Sequence, residues 1–282
     1  MDQTVENDFY LRRRLVDAGI ERISYYPRQR RHDTPILLQH GMWHGAWCWQ
    51  WWQELFAEWG WESHAISLPG HAGSQRLRPI RLCTLDYYLG FLRAEIERLP
   101  RRPVLIGHSM GGALAQWYLR YVRDDLPAAV LLAAWSARGN FDLGGGRAFW
   151  KLDPFGCLLS SLTFAATPFV RNVQRATALL YSERGVISPQ AFQAQLTPES
   201  LLVMMQHTPP IWQPPTRLKT PVVVFAGECD AAVTVQGEQR SADQYGAPLV
   251  VIPGAAHNLM MEHNLRETAH AVEDWLVGVG VA

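Results

Sequence analysis

The chain has 282 residues, with 26 basic and 26 acidic side chains and a formal net charge of zero at pH 7. This length suits one sizeable α/β domain with an insertion or two small domains. The balanced charge gives no electrostatic reason to expect nucleic acid or an anionic membrane as a partner, and no apolar run is long enough to span a bilayer.

The N-terminal stretch "MDQTVENDFYLRRRL" lacks the apolar core of a signal peptide, which favours a cytoplasmic protein. The four cysteines are scattered and form no CxxC pair. We therefore expect reduced thiols, although an even number of cysteines does not exclude a disulfide. The cysteines are Cys48, Cys83, Cys157 and Cys229.

Short, nearly continuous apolar runs recur along the chain, and such runs are typical of strands buried on both faces of a parallel sheet. The runs cover residues 36–39, 104–107, 128–134, 222–227 and 249–254. Helical patterns separate them, and the predicted helices cover residues 46–59, 84–98, 109–122 and 261–277. Because strands alternate with helices, the sequence predicts an α/β fold with a doubly wound, mostly parallel sheet.

The alternation breaks once, between residues 136 and 220. This segment contains no convincing buried strand and reads as several short helices bounded by proline and glycine. It is too long for a loop inside a compact fold, so we interpret it as a helical cap. The predicted core domain therefore comprises residues 1–135 and 221–282, and the predicted cap comprises residues 136–220.

The stretch "VLIGHSMGGALAQWYLRYV" places G-x-S-x-G between a predicted strand and a predicted helix. This arrangement is typical of a nucleophile elbow, in which a sharp turn exposes a strained serine. Gly107 and Gly111 would relieve crowding on either side of Ser109. The N–H of Met110, at the helix N-terminus, would face a developing oxyanion.

A serine nucleophile needs a base, and the base needs an acid that orients it. In a parallel sheet both should follow carboxyl ends of strands. Asp230 comes three residues after Gly227, and His257 comes three residues after Gly254. The chain order of serine, aspartate and histidine is the order used by this type of site. Glu228 is a rival acid that is closer to its strand.

A second oxyanion donor is expected from the loop after the first predicted parallel strand, "LLQHGMWHGAW". Gly41 lets the backbone turn in closely, and the N–H of Met42 is the best candidate donor. We expect His40 to brace the loop through hydrogen bonds rather than to titrate in catalysis. Trp43 and His44 either face the pocket or pack beside it.

These motifs together resemble the α/β-hydrolase-fold serine hydrolases. The landmarks, in order, are "HGMWHGAW", "SLPGHAGS", "GHSMGG", "AGECD" and "PGAAHNLMMEH", and they extend over roughly residues 35–275. The resemblance implies a catalytic triad and two oxyanion donors. The implied triad is Ser109, Asp230 and His257, and the implied donors are Met42 and Met110.

The segment "HGMWHGAWCW" is similar to the oxyanion segment of the plant methylesterase and hydroxynitrile lyase group and its bacterial esterase relatives. The lyases of that group carry threonine and lysine where this chain has Gly41 and Asn258, so the resemblance implies ester hydrolysis. A serine at position 109, in place of an aspartate, disfavours the dehalogenase and epoxide hydrolase branches.

Apolar side chains in and beside the predicted cap offer a lining for the site, with packing of the cap as the alternative role of each. The candidate substrate-binding residues are Trp43, Trp135, Phe149, Trp150, Met205 and Trp212. Together they favour an uncharged, fairly hydrophobic small-molecule ester or lactone as the partner. No metal and no organic cofactor is expected, and a homodimer is left open.

Two other functions fit the same residues. A carbon–carbon bond hydrolase or a cofactor-free perhydrolase would use the same triad. A ligand-binding receptor built on a hydrolase scaffold can keep the triad intact, so the motifs do not exclude it.

Overall fold

The computed structural model describes residues 2–139, 150–151 and 153–281. Within these residues the strands form one sheet of nine, in the order β1-β2-β3-β5-β4-β6-β7-β8-β9. The strands are β1 (Gln3–Glu6), β2 (Tyr10–Asp17), β3 (Ile20–Pro27), β4 (Ile36–Gln39), β5 (Ser63–Ile66), β6 (Val104–His108), β7 (Ala129–Leu132), β8 (Val222–Gly227) and β9 (Leu249–Ile252).

The part of the sheet from β5 to β9 is parallel, as the apolar runs predict. The register aligns Ile36 of β4 with Val104 of β6, so the carboxyl ends of the strands lie along one edge. Two strands end earlier than their apolar runs. The chain turns away from β7 at Ala133 (φ 44°) and from β9 at Gly254 (φ 66°), and both residues are left-handed.

The N-terminal part of the sheet is antiparallel and was not predicted. β2 and β3 form a hairpin in which Asp17 pairs with Ile20, and β3 pairs antiparallel with β5. The hairpin turns through Ala18 and Gly19, both left-handed as a tight two-residue turn requires. The sequence of β2, "YLRRRLVD", is basic and only partly buried, so its apolar pattern is weak.

Helices cover both faces of the sheet in a doubly wound α/β fold. They are α1 (Gln50–Glu58), α2 (Leu85–Arg98), α3 (Met110–Tyr121), α4 (Pro154–Thr163), α5 (Val173–Leu180), α6 (Pro189–Gln195), α7 (Leu202–Gln206), α8 (Val235–Tyr245) and α9 (Leu265–Gly278). The predicted helices are all present, although α9 begins four residues later than predicted. α8 was missed because its sequence, "VQGEQRSADQY", is mostly polar.

Between β7 and β8 the described chain forms only short helices and one isolated bridge, from Ala165 to Ser200. We call residues 153–220 the inserted segment. The helices α4, α5 and α6 begin at side-chain caps, because Asp153, Asn172 and Ser188 each accept a hydrogen bond from a backbone N–H in the following turn. Proline at the first position of α4 and α6 strengthens these starts.

The described residues include no helix that combines the length and the apolar character needed to cross a bilayer. All four cysteines are free, which confirms the prediction of unpaired thiols. Cys229 is exposed and the other three are buried.

Candidate active site

Ser109 lies in the sharp turn between β6 and α3. Its φ of 55° and ψ of −117° lie outside the conformations that ordinary residues prefer. A Cβ at Gly107 would come within 2.4 Å of the Gly111 carbonyl oxygen, and one at Gly111 within 2.2 Å of the Gln39 carbonyl oxygen. Both glycines are therefore required by close backbone contact, as the elbow motif predicts.

His257 and Asp230 meet at the carboxyl edge of the sheet, on the loops that follow β9 and β8. His257 Nδ1 lies 2.7 Å from Asp230 Oδ2, and both side chains are buried. The other carboxylate oxygen, Oδ1, accepts hydrogen bonds from the N–H groups of Ala232 (2.7 Å) and Val233 (2.9 Å). The fixed carboxylate keeps the proton on Nδ1, which leaves His257 Nε2 as an acceptor.

Glu228, the rival acid, points elsewhere. Its exposed carboxylate accepts a hydrogen bond from the Gly254 N–H at 2.8 Å and so links the turns after β8 and β9. Asp230, two residues later, is the acid that reaches His257.

His108 connects the elbow to the histidine loop. Its ring centroid is 4.7 Å from that of His257, and its Nε2 donates to the His257 carbonyl oxygen at 3.1 Å. The hydrogen bonds of the described residues do not include one from Ser109 Oγ to His257 Nε2. Such catalytic hydrogen bonds are often long in ligand-free enzymes and tighten when substrate binds.

The loop after β4 lies against the elbow. A Cβ at Gly41 would stand 2.8 Å from Ser109 Cβ. His40 Nδ1 donates to the Gly41 carbonyl oxygen at 2.7 Å, and His40 Nε2 accepts from the Leu68 N–H at 3.0 Å. Complete burial lowers the pKa of His40 well below its usual range, so the ring is neutral. His40 thus braces the loop, as predicted.

The two predicted oxyanion donors are buried at this position, Met42 on the loop after β4 and Met110 at the start of α3. The backbone N–H groups of Met42 and Met110 donate to no other described residue. The Met42 N–H belongs to the same peptide unit as the Gly41 carbonyl oxygen, which His40 holds. Two buried donors without an acceptor are what an oxyanion site requires.

His44 and Asn258 form a polar bridge beside this loop. His44 Nδ1 donates to the Met42 carbonyl oxygen at 2.6 Å, and Asn258 Nδ2 donates to His44 Nε2 at 3.1 Å. Burial lowers the pKa of His44 to about 3, so this histidine is neutral at pH 7. The bridge joins the loop after β4 to the residue that follows His257.

Two predicted substrate-binding residues lie beside the elbow. Trp135 is buried, and its N–H lies 3.3 Å from the Ser109 carbonyl oxygen. Trp43 is buried and directly follows Met42. Trp150 and Met205 are about half-exposed on the surface. Their contact with substrate stays a prediction, and Phe149 lies outside the described residues.

Trp212 was expected either to contact substrate or to pack the cap, and the structure describes its packing contacts. The side chain is completely buried, and it stacks on His207 (4.6 Å between centroids) and Trp117 (5.9 Å). Its Nε1 donates to the Ala137 carbonyl oxygen at 2.7 Å. Trp212 therefore packs the inserted segment onto α3, and its contact with substrate stays a prediction.

Several polar residues around the site were not singled out from the sequence. Glu238 of α8 is completely buried, and neither of its carboxyl oxygens makes a hydrogen bond of good geometry to a described residue. Burial, reinforced by the negative charge of Asp230, raises its pKa well above the usual range. Thr197 bonds to the carbonyl oxygen of Trp43 on the loop after β4, and Glu199 bonds to His71, whose ring lies beside that of His40; no local pattern marks these contacts.

Among the described residues, no group of three or more histidine, cysteine, aspartate or glutamate side chains could hold a metal ion.

Comparison with known proteins connects this geometry to a family. The alpha/beta hydrolase family matches residues 36–271. The chain is 33% identical to the Putative methylesterase 11, chloroplastic, of Arabidopsis thaliana over 101 residues, covering 35% of this chain and 26% of that protein. It is 31% identical to Epoxide hydrolase 3 of Xenopus tropicalis over 126 residues, covering 43% of this chain and 33% of that protein.

The chain thus spans a third or less of the length of these two relatives. Among solved structures, the monoacylglycerol lipase of Paleococcus ferrophilus superposes with a TM-score of 0.66 at 17% identity, covering 93% of this chain and 99% of that one. Identity this low establishes the shared fold alone. The family match extends over most of the chain, and the protein belongs to the alpha/beta hydrolase family.

Proposed function

We propose that the protein is a serine hydrolase that cleaves a carboxylic ester or lactone of a fairly hydrophobic small molecule through an acyl-enzyme on Ser109. The observation that carries the proposal is the 2.7 Å hydrogen bond between His257 and Asp230 at the sheet edge where the elbow presents Ser109. The methylesterase relative supports ester cleavage.

In the acylation step, Ser109 Oγ attacks the carbonyl carbon of the ester while His257 Nε2 takes the hydroxyl proton. The carbonyl electron pair moves onto oxygen, which the N–H groups of Met42 and Met110 stabilise. Asp230 stabilises the imidazolium that forms. The carbonyl then re-forms, the bond to the leaving alcohol breaks, and His257 returns the proton to that alcohol.

Deacylation repeats these steps with water as the nucleophile. His257 Nε2 removes a proton from water as the water oxygen attacks the acyl carbon, and the same two N–H groups hold the second oxyanion. The collapse of this intermediate releases the acid and returns the proton to Ser109 Oγ. The neutral state of His40 and His44 suits this scheme, because neither competes with His257 for the proton.

We also propose that residues 136–220 act as the cap and that the acyl group lies beneath them. Helices α4 to α7 support this assignment, since they lie between β7 and β8. The buried aromatic side chains of Trp43 and Trp135 beside the elbow favour an apolar, uncharged substrate. A serine at position 109 favours ester hydrolysis over the chemistry in the name of the epoxide hydrolase relative.

The test is hydrolysis of p-nitrophenyl esters from acetate to decanoate by the wild-type protein and by Ser109→Ala. We expect measurable turnover with a chain-length optimum that reports the depth of the acyl pocket. The substitution should lower kcat by about 10⁴-fold or more with the fold intact. A folded wild type that hydrolyses none of these esters would favour the carbon–carbon bond hydrolase or the receptor.

A further inference from the structure

Trp43, which directly follows the Met42 donor, has a left-handed backbone with φ of 63°. A bulky residue rarely adopts this conformation, and it persists only where surrounding contacts enforce it. The conformation matters for the proposed oxyanion site, because it sets the direction in which the chain leaves Met42.

Three hydrogen bonds from the inserted segment hold Trp43. Its carbonyl oxygen accepts from the Thr197 N–H at 2.8 Å and from the Thr197 hydroxyl at 3.0 Å. Its indole Nε1 donates to the Ala166 carbonyl oxygen at 3.2 Å. The main chain and the side chain of Trp43 are therefore both fixed by residues more than 120 positions away in sequence.

The two parts of the inserted segment that hold Trp43 are joined to each other. The Ala166 N–H donates to the Glu199 carbonyl oxygen at 2.8 Å, and the Glu199 N–H donates to Thr167 Oγ1 at 3.2 Å. Together with the Ala165–Ser200 bridge, these contacts form one unit, which we call the 166/197 clamp (residues 165–167 and 197–200).

The clamp is anchored to the sheet domain through a buried carboxylate. Glu199 is completely buried and accepts hydrogen bonds from His71 Nε2 (3.0 Å), the Tyr88 hydroxyl (3.0 Å) and the Ser200 N–H (2.7 Å). The His71 ring lies 5.2 Å from that of His40, which holds the Gly41 carbonyl oxygen. The clamp therefore supports the donor loop on both sides of Met42.

We propose that Thr197 is a positioning residue for the Met42 oxyanion donor, and that the 166/197 clamp stays fixed on the sheet domain during turnover while it holds that donor in place. The inserted segment then contributes to the rate of the chemical step as well as to the lining of the pocket. This inference rests on the proposed ester hydrolysis at Ser109.

The physical reason is that a backbone donor stabilises an oxyanion only when its N–H is aimed at the place where the charge develops. Because Thr197 Oγ1 and N both donate to the Trp43 carbonyl oxygen, they oppose rotation of the peptide units around Trp43. Loss of the hydroxyl leaves one donor and loosens the loop. The substrate carbonyl loses stabilisation mainly in the tetrahedral state, where its oxygen is charged.

The test compares Thr197→Val, which removes the hydroxyl at nearly constant shape, with Thr197→Ser, which keeps it. Thr163→Val is the matched control, since the exposed Thr163 hydroxyl donates only to the Leu159 carbonyl oxygen within α4. With the best p-nitrophenyl ester we expect Thr197→Val to lower kcat about tenfold, with KM changed by less than about twofold. Thr197→Ser and Thr163→Val should keep kcat within about twofold of wild type.

A second measurement separates positioning from a general loss of structure. A trifluoromethyl ketone with the same acyl chain forms a tetrahedral oxyanion with the serine, whereas the corresponding carboxylic acid product does not. Thr197→Val should weaken inhibition by the ketone about tenfold and leave inhibition by the acid unchanged. Equal weakening of both inhibitors, or an unchanged kcat, would overturn the role of Thr197.

The two proposals fail in different ways. If Ser109→Ala keeps the activity of the wild type, the proposed function is wrong, and the role of Thr197 falls with it. If Ser109→Ala abolishes hydrolysis and Thr197→Val has no effect on kcat, only the inference about Thr197 is wrong.

Discussion

Two residues of the candidate active site, Ser109 and Trp43, share an unusual left-handed backbone, and they are stabilised in different ways. Ser109 (φ 55°) is held by its own strand and helix, with Gly107 and Gly111 making room on either side. Trp43 (φ 63°) is held by Thr197 and Ala166, which are distant in sequence. A strained residue can thus be supported by its sequence neighbours or by tertiary contacts. Only support by sequence neighbours produces a motif that can be recognised in the sequence.

The difference has a consequence for stability and activity. Perturbing the elbow should affect the nucleophile directly, whereas perturbing the 166/197 clamp should affect the oxyanion loop through several intermediate contacts. Substitutions that remove one kind of support and leave the other intact test this contrast.

The largest expected effect on stability comes from the anchor of the clamp. Glu199→Ala would leave the buried His71 without its carboxylate and remove the acceptor for Tyr88. Removing one partner of a buried pair costs about 3–5 kcal/mol. We expect a loss of this size in the free energy of unfolding, measured by urea denaturation.

Tyr88→Phe is the milder comparison, since it removes one hydrogen bond to Glu199 and keeps the ring. It should cost about 1 kcal/mol. If Glu199→Ala cost no more than Tyr88→Phe, the carboxylate would not be the anchor of the clamp.

The elbow is tested by Gly111→Ala. The added methyl would lie 2.2 Å from the Gln39 carbonyl oxygen, so α3 would have to move away from β4. Overpacking of this kind typically costs about 1–3 kcal/mol, and kcat should fall along with stability because Ser109 moves as well. Both are measured on the same protein, by urea denaturation and by ester hydrolysis.

Gly90→Ala in α2 is the matched control for Gly111→Ala. Gly90 has no close neighbours, since a Cβ there would meet no atom within 4 Å. Helix propensity predicts that this change stabilises the protein by up to about 1 kcal/mol. Equal effects of the two alanine substitutions would contradict the packing account of the elbow.

Much of the structure around the elbow could be predicted from the sequence. A strand that runs into G-x-S-x-G and then a helix predicted β6, the sharp turn at Ser109 and α3. The ends of strands predicted that Asp230 and His257 lie at the same sheet edge, because these features depend on residues close in the chain. The antiparallel strands at the N-terminal side of the sheet were missed, since β1 is short and exposed along its whole length and β2 is only partly buried and carries basic side chains.

The contacts of the 166/197 clamp could not be predicted, because a single threonine or glutamate has no periodic pattern or motif around it. Thr197 and Glu199 acquire their roles only when α6 ends against the loop after β4. The stacking of Trp212 on Trp117 and His207 could not be predicted either, because these residues are distant in sequence.

The last prediction concerns Glu238, a buried carboxyl beside Asp230. Its pKa is raised in the folded protein, so the folded state holds a proton that the unfolded chain releases near pH 4.5. The free energy of unfolding should therefore fall as pH rises above about 4.5, by at most about 1.4 kcal/mol per pH unit, until the folded pKa is reached.

Glu238→Gln cannot lose a proton and should remove this pH dependence. At pH 4 the variant and the wild type should have similar stability, and at pH 7 the variant should be more stable. Urea denaturation at several pH values measures the difference. A difference that does not change between pH 4 and pH 7 would mean that folding does not shift the pKa of Glu238.

The most direct test of the central claim is covalent labelling of the nucleophile with a fluorophosphonate, followed by peptide mass spectrometry. We predict one adduct per chain, located on Ser109 and formed far more slowly in His257→Ala, because the imidazole activates the hydroxyl. An adduct on another residue, or no adduct on the folded wild-type protein, would contradict the assignment of Ser109 as an activated nucleophile.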